Sequence, residues 1–79
     1  MTPGIGLMKR RLETEESAVS LAISGITKKF KIQTNSIQSL ETKYDDDSGD
    51  WYVALGWKGK KAVIRMDSVQ AKILEINEI

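Results

Sequence analysis

The chain has 79 residues with 12 basic against 11 acidic side chains, no cysteine and no histidine. That length accommodates one domain and excludes a second, and a domain this small buries only about 60% of its unfolded surface. The missing residue types exclude a disulfide framework, thiolate chemistry, and both the commonest general base and the commonest zinc ligand, while a net charge of +1 gives no electrostatic argument for a nucleic-acid or membrane partner.

Residues 1–12 hold Pro3, Gly4 and Gly6 followed by the basic run Lys9, Arg10 and Arg11, a composition that predicts a flexible basic arm ahead of a single domain at 13–79. No run approaches the roughly 18 apolar residues of a membrane span, and the N-terminal residues lack the apolar core of an export signal. Both features predict a cytoplasmic protein without a membrane partner.

From Thr14 to Phe30 the spacing predicts the one helix. Thr14 is placed to cap it, Glu15 and Glu16 sit where the helix dipole favours negative charge, and Lys28 and Lys29 sit at the opposite end. Val19, Ala22, Ile23, Ile26 and Phe30 fall on one stripe, widened by Ala18 and Leu21, which should face the core. Gly25 lowers helix propensity by about 1 kcal/mol relative to Ala and allows close packing against a sheet. Asn35 and Ser36 mark a turn.

A first strand is expected over Ile37 to Tyr44. The acidic loop Asp45, Asp46, Asp47, Ser48, Gly49, Asp50 leads from it into Trp51. This loop lacks the alternating ligands, the sixth-place glycine and the distal glutamate of a calcium loop, so it is read as solvating a hairpin end, and no metal or cofactor is implied.

The stretch Trp51 to Asp67 gives the firmest register. Trp51, Val53, Leu55 and Trp57 alternate with Tyr52, Ala54 and Gly56, the period of two of a strand. A two-residue turn at Lys58 and Gly59 sets Trp57 opposite Lys60 and zips back through Leu55 with Ala62, Val53 with Ile64 and Trp51 with Met66. One face is then apolar throughout, and a slip of one residue would scramble both faces. Pairing Tyr44 with Trp51 places Thr42 by Val53 and Leu40 by Leu55. A last strand over Ile73 to Ile79, with Met66 opposite Leu74, sets Ile64 by Ile76 and Arg65 by Glu75.

The expected fold class is α+β: one N-terminal helix packed on a four-stranded antiparallel meander of order 1-2-3-4. The uncovered face should carry Lys43, Tyr52, Arg65 and Glu75 in one row, Glu41, Ala54, Val63 and Asn77 in the next, and Ser39, Gly56, Lys61 and Ile79 at the far end. Tyr52, Val63 and Arg65 form the candidate protein interface, because interfaces favour aromatic and arginine side chains. Lys58, Lys60 and Lys61 at the hairpin tip, with Lys9, Arg10 and Arg11 of the arm, are the candidate contacts of an alternative nucleic-acid partner. Trp51 and Trp57 fall on the core face, which leaves Tyr52 alone outward and no aromatic pair for base stacking. There is no nucleophile paired with a base and no glycine-rich phosphate loop, so no enzyme activity is expected.

Taken together, AVSLAI at Ala18 to Ile23, DDDSGDWYVAL at Asp45 to Leu55 and AVIRMDSVQAKILEI at Ala62 to Ile76 resemble the PepSY domain family. The likeness covers about residues 15–79, and its last run looks like the family's closing pattern, in which a strand ending in Asp turns into an Ile-Leu strand. Ala71 stands where that family usually places a turn glycine. The resemblance implies a noncatalytic module with an inhibitory or protein-binding role. Because dimerisation that covers a sheet edge or an open sheet face would stabilise so small a domain, the expected partner is another protein or a second copy in a homodimer.

Overall fold

The computed structural model describes residues 11–79, and the elements follow in the expected order. Helix α1 (Glu15–Phe30) is followed by a short 3₁₀ turn (Thr34–Ser36) and strands β1 (Gln38–Asp45), β2 (Asp50–Trp57), β3 (Lys60–Asp67) and β4 (Lys72–Glu78). They form one antiparallel sheet of order β1-β2-β3-β4 with α1 against one face, an α+β meander.

Local chemistry sets the helix ends. The Ser17 N–H donates to Thr14 Oγ1 at 3.1 Å and the Thr14 N–H donates to Ser17 Oγ at 3.3 Å, a capping box that satisfies two otherwise unpaired groups. At the other end Lys31 adopts φ 56°, the left-handed conformation in which helices commonly stop.

The central hairpin has the expected register from Asp50↔Asp67 to Trp57↔Lys60. Its turn places Lys58 at φ 45° and Gly59 at φ 77°, both positive as a primed turn requires for strands of right-handed twist. The expected face is buried: Trp51, Val53, Leu55 and Trp57 from β2 and Ala62, Ile64 and Met66 from β3 meet Ala18, Ala22 and Ile26 of α1.

The two outer pairings depart from simple alternation. On β1, Tyr44↔Trp51 and Thr42↔Val53 hold, but the register shifts between Ser39 and Glu41, so Ser39 rather than Leu40 stands opposite Leu55. Leu40 bulges out at 48% exposure, and its Cδ1 lies 3.2 Å from where Gly56 would carry a Cβ. It therefore fills the space that the missing side chain leaves on the uncovered face, and Gln38, not Ser39, pairs with Gly56 there. On β4, Ile64↔Ile76 and Arg65↔Glu75 hold, but Ile73 rather than Leu74 stands opposite Met66. The cause is again a glycine: a Cβ on Gly25 of α1 would collide with the Ile73 side chain, which occupies that hollow, while Leu74 is left 43% exposed.

The domain also begins earlier than composition suggests. Leu12, within the expected arm, is 5% exposed and belongs to the core. The N–H groups of Arg11 and Leu12 both donate to the Ser68 carbonyl at 2.9 Å, and the buried Trp51 Nε1–H donates to the Leu12 carbonyl at 2.9 Å. Ser68 is fully buried, and its Oγ–H donates to the Gly49 carbonyl at 2.6 Å. Ser68 thereby joins the leader, the β1–β2 loop and the β3–β4 turn at one end of the sheet.

Candidate functional site

The face of the sheet opposite α1 is built by the outward half of the alternation. Lys43 pairs with Tyr52, Tyr52 with Arg65 and Arg65 with Glu75, which places these side chains in one row across all four strands. Two residues along, Glu41, Ala54, Val63 and Asn77 form the next. A shallow groove of about 500 Å³ lies on this face, lined by Glu41, Lys43, Tyr44, Asp45, Tyr52, Ala54 and Val63. Of the three candidate interface residues, Tyr52 and Val63 line it, and Arg65 stands beside Tyr52 on the neighbouring strand. The small Ala54 beside the large Tyr52 gives the face its relief.

Arg65 is tied by charge. Its Nε lies 3.5 Å from Asp50 Oδ2 and Nη1 lies 3.9 Å from Glu75 Oε1, while Nε is buried without a hydrogen bond. At 41% side-chain exposure these pairs are screened and orient the guanidinium more than they stabilise the fold.

The candidate nucleic-acid contacts divide. Lys58, Lys60 and Lys61 line a second shallow groove of about 380 Å³ with Gln38, Leu40 and Gly56. Arg11, through its bond to Ser68, sits at the other end of the sheet, about 25 Å away along strands of eight residues. Lys9 and Arg10 lie outside the described residues. The tip and Arg11 thus form no continuous basic surface.

The tip gains other lysines instead. Phe30 packs on Trp57 with ring centroids 5.2 Å apart, and Lys29 Nζ lies 5.7 Å from the centre of the Phe30 ring. The end of α1, with Lys28, Lys29 and Lys31, is therefore brought to the hairpin tip that carries Lys58, Lys60 and Lys61. Glu78, paired across from Ala62, lies toward this end of β4. At the opposite end Asp45, Asp46, Asp47, Asp50 and Asp67 gather, with Arg65, Lys72 and Arg11 among the cations near them. The described residues are thus polarised along the strands. Composition hides this polarity; it could be found in the sequence only by tracing which strand ends and which helix end coincide.

Trp57 is 4% exposed and Trp51 5%, so neither indole offers a stacking platform. Among the described residues there is no cluster of three or more potential metal ligands, and no helix is long and apolar enough to cross a membrane. Set beside known proteins, the chain matches no family profile, no curated protein and no solved structure.

Proposed function

We propose that this chain is a noncatalytic protein-contact domain, of the kind the PepSY resemblance implies, whose working surface is the uncovered face of the sheet. The observation that carries the reading is the groove of about 500 Å³ beneath Tyr52 and Val63. A solvated sheet face ordinarily alternates charges without relief; here an aromatic ring, two small apolar side chains and an oriented arginine are grouped at the centre, with charges of both signs around them. That is the composition of an interface core with a polar rim. The lack of cysteine and histidine agrees with a role in contact rather than catalysis.

The test is a photo-crosslinking residue in place of Val63, irradiated in the native cell, with the same residue in place of Ser20 on α1 as the control. The expected result is a protein adduct from position 63 that disappears when Tyr52→Glu is added. An adduct to nucleic acid, or equal yields from both positions, overturns the reading.

One observation favours a second reading, contact with a nucleic-acid backbone. Lys58, Lys60 and Lys61 of the tip are joined by Lys28 and Lys29 of α1 and by Lys31 at its C-terminal cap, and such a patch would hold phosphates without reading bases. Anisotropy of a labelled single strand across a salt series decides it. The reading requires affinity to fall steeply with salt and to weaken when Lys58, Lys60 and Lys61 are replaced by Gln.

A further inference from the structure

We infer that the uncovered sheet face pairs with the same face of a second copy of this chain, about a two-fold axis that crosses the strands between the level of Tyr52 and the level of Ala54. The inference rests on the reading of this face as a protein-contact surface and names its partner. A two-fold interface uses one patch twice, so the patch must complement itself.

The two central rows do so. An axis across the strands lays each strand over its own copy, running the other way, and exchanges the rows. Lys43 then faces Glu41 of the second copy, and Glu41 faces its Lys43. Tyr52 faces Ala54, so the large ring enters the groove that the small residue leaves open, and Arg65 lays its aliphatic stem beside Val63. At the centre of the face Lys43 and Glu41 meet their opposites and Arg65 meets an apolar side chain, while Glu75 faces the Asn77 amide, and each contact occurs twice.

The polarity of the molecule selects this axis over the other choice. A two-fold axis along the strands would pair Lys43 with Glu75, but it would also lay the Asp45, Asp50 and Asp67 end of one copy on the same end of the other. The axis across the strands brings the end that carries Lys61 over the end that carries Asp67. Opposite ends attract and like ends repel, and such complementarity sets the orientation of association more than its strength.

Area sets the size class. Four strands about 4.8 Å apart and about 25 Å long give a footprint near 500 Å² per copy, or roughly 1,000 Å² in total. That is the lower limit for a specific interface, so the expected dimer is weak and concentration-dependent, with a dissociation constant of about 10 µM to 1 mM.

The experiment is sedimentation equilibrium over that concentration range on the wild-type chain, on Lys43→Glu, on Glu41→Lys, and on a one-to-one mixture of the two variants. The wild type should dimerise. Each variant alone sets like charges against each other at both crossings and should lose at least about tenfold in affinity, roughly 1.4 kcal/mol. Mixing the variants restores opposite charges at both crossings, so the mixture should dimerise about as well as the wild type. A wild type that stays monomeric to about 1 mM, or variants that dimerise unchanged, overturns the inference. Rescue of Lys43→Glu by Glu75→Lys in place of Glu41→Lys overturns the axis. None of these failures bears on the crosslink at position 63: an adduct there to a different protein would remove the second copy as partner and leave the contact surface standing.

Discussion

The two tryptophans of β2 form a matched pair on which one hydrogen bond can be weighed. Trp51 and Trp57 are 5% and 4% exposed, and each packs on one aromatic ring, Tyr44 at 5.1 Å and Phe30 at 5.2 Å. They differ in hydrogen bonding: the Trp51 indole donates to the Leu12 carbonyl, and the Trp57 indole has no such partner among the described residues. Replacing either by Phe removes a similar area of ring, so that term cancels in the difference. What remains is the loss of one hydrogen bond and a buried carbonyl left unpaired, about 1–3 kcal/mol. A domain of this size has a total stability of only about 4–12 kcal/mol, so Trp51→Phe should be plainly the weaker of the two variants. With a urea m value near 1 kcal/mol/M for so short a chain, its midpoint should lie about 1–3 M below that of Trp57→Phe. Unfolding is best followed by far-ultraviolet circular dichroism, because the substitutions alter the fluorescence itself. Amide exchange supplies the second readout: the Arg11 and Leu12 amides should exchange faster in Trp51→Phe and unchanged in Trp57→Phe. Equal midpoints for the two variants, or unaltered exchange at Leu12, would refute the claim that the indole anchors the leader.

Two further outcomes follow from backbone geometry and buried polarity. Ala71 sits at φ 55°, a conformation that disfavours any residue with a Cβ by about 1–2 kcal/mol, so Ala71→Gly should stabilise the fold by about 0.5–1 kcal/mol after glycine's greater chain entropy is subtracted; a lowered melting temperature would contradict this. Ser68→Ala removes the hydroxyl donor to Gly49 while the Ser68 N–H still reaches the same carbonyl at 3.1 Å, so the loss in chemical denaturation should be near 1 kcal/mol, and one above about 3 kcal/mol would assign Ser68 a larger role.

Much of the fold is legible in the residues because local and global signals agree along the central hairpin. Period-two alternation, a Lys-Gly turn with positive φ and the apolar face of β2 all specify one register. Thr14 as the cap follows from helix chemistry alone, and of the expected stripe Ala22 and Ile26 are fully buried together with the flanking Ala18, while Val19, Ile23 and Phe30 are half-buried at its margins. Simple alternation fails at Leu40 and at Leu74 for a shared reason. In both places a glycine on another element leaves a hollow, Gly56 under Leu40 and Gly25 over Ile73, and the strand bulges to fill it. A hollow between elements has no signature in the strand that answers it. Leu12 escaped for a related reason: a single apolar residue after a basic run carries no periodicity, and its burial depends on the Trp51 indole and the Ser68 carbonyl, which are remote in sequence. Tyr52, Val63 and Arg65 could be assigned to the uncovered face from alternation. The gathering of Lys28, Lys29 and Lys31 with the hairpin tip depended on the Phe30 and Trp57 contact, which alternation does not predict.

The attachment of the leader to Ser68 has a mechanical consequence. The chain enters the described domain at the Ser68 end, and β4 finishes at the opposite end, where Glu78 pairs with Ala62. Tension between the two would run along the strands, through the Ser68 carbonyl into β3 and through the Trp51 indole into the neighbouring β2, and out along β4. The β3–β4 ladder would then be loaded in shear, with its hydrogen bonds sharing the force side by side instead of opening one after another. The weak link on that path is the leader's own attachment, two amides on one carbonyl and one indole on another. Under tension the domain should release its leader as a short first extension before the sheet gives way.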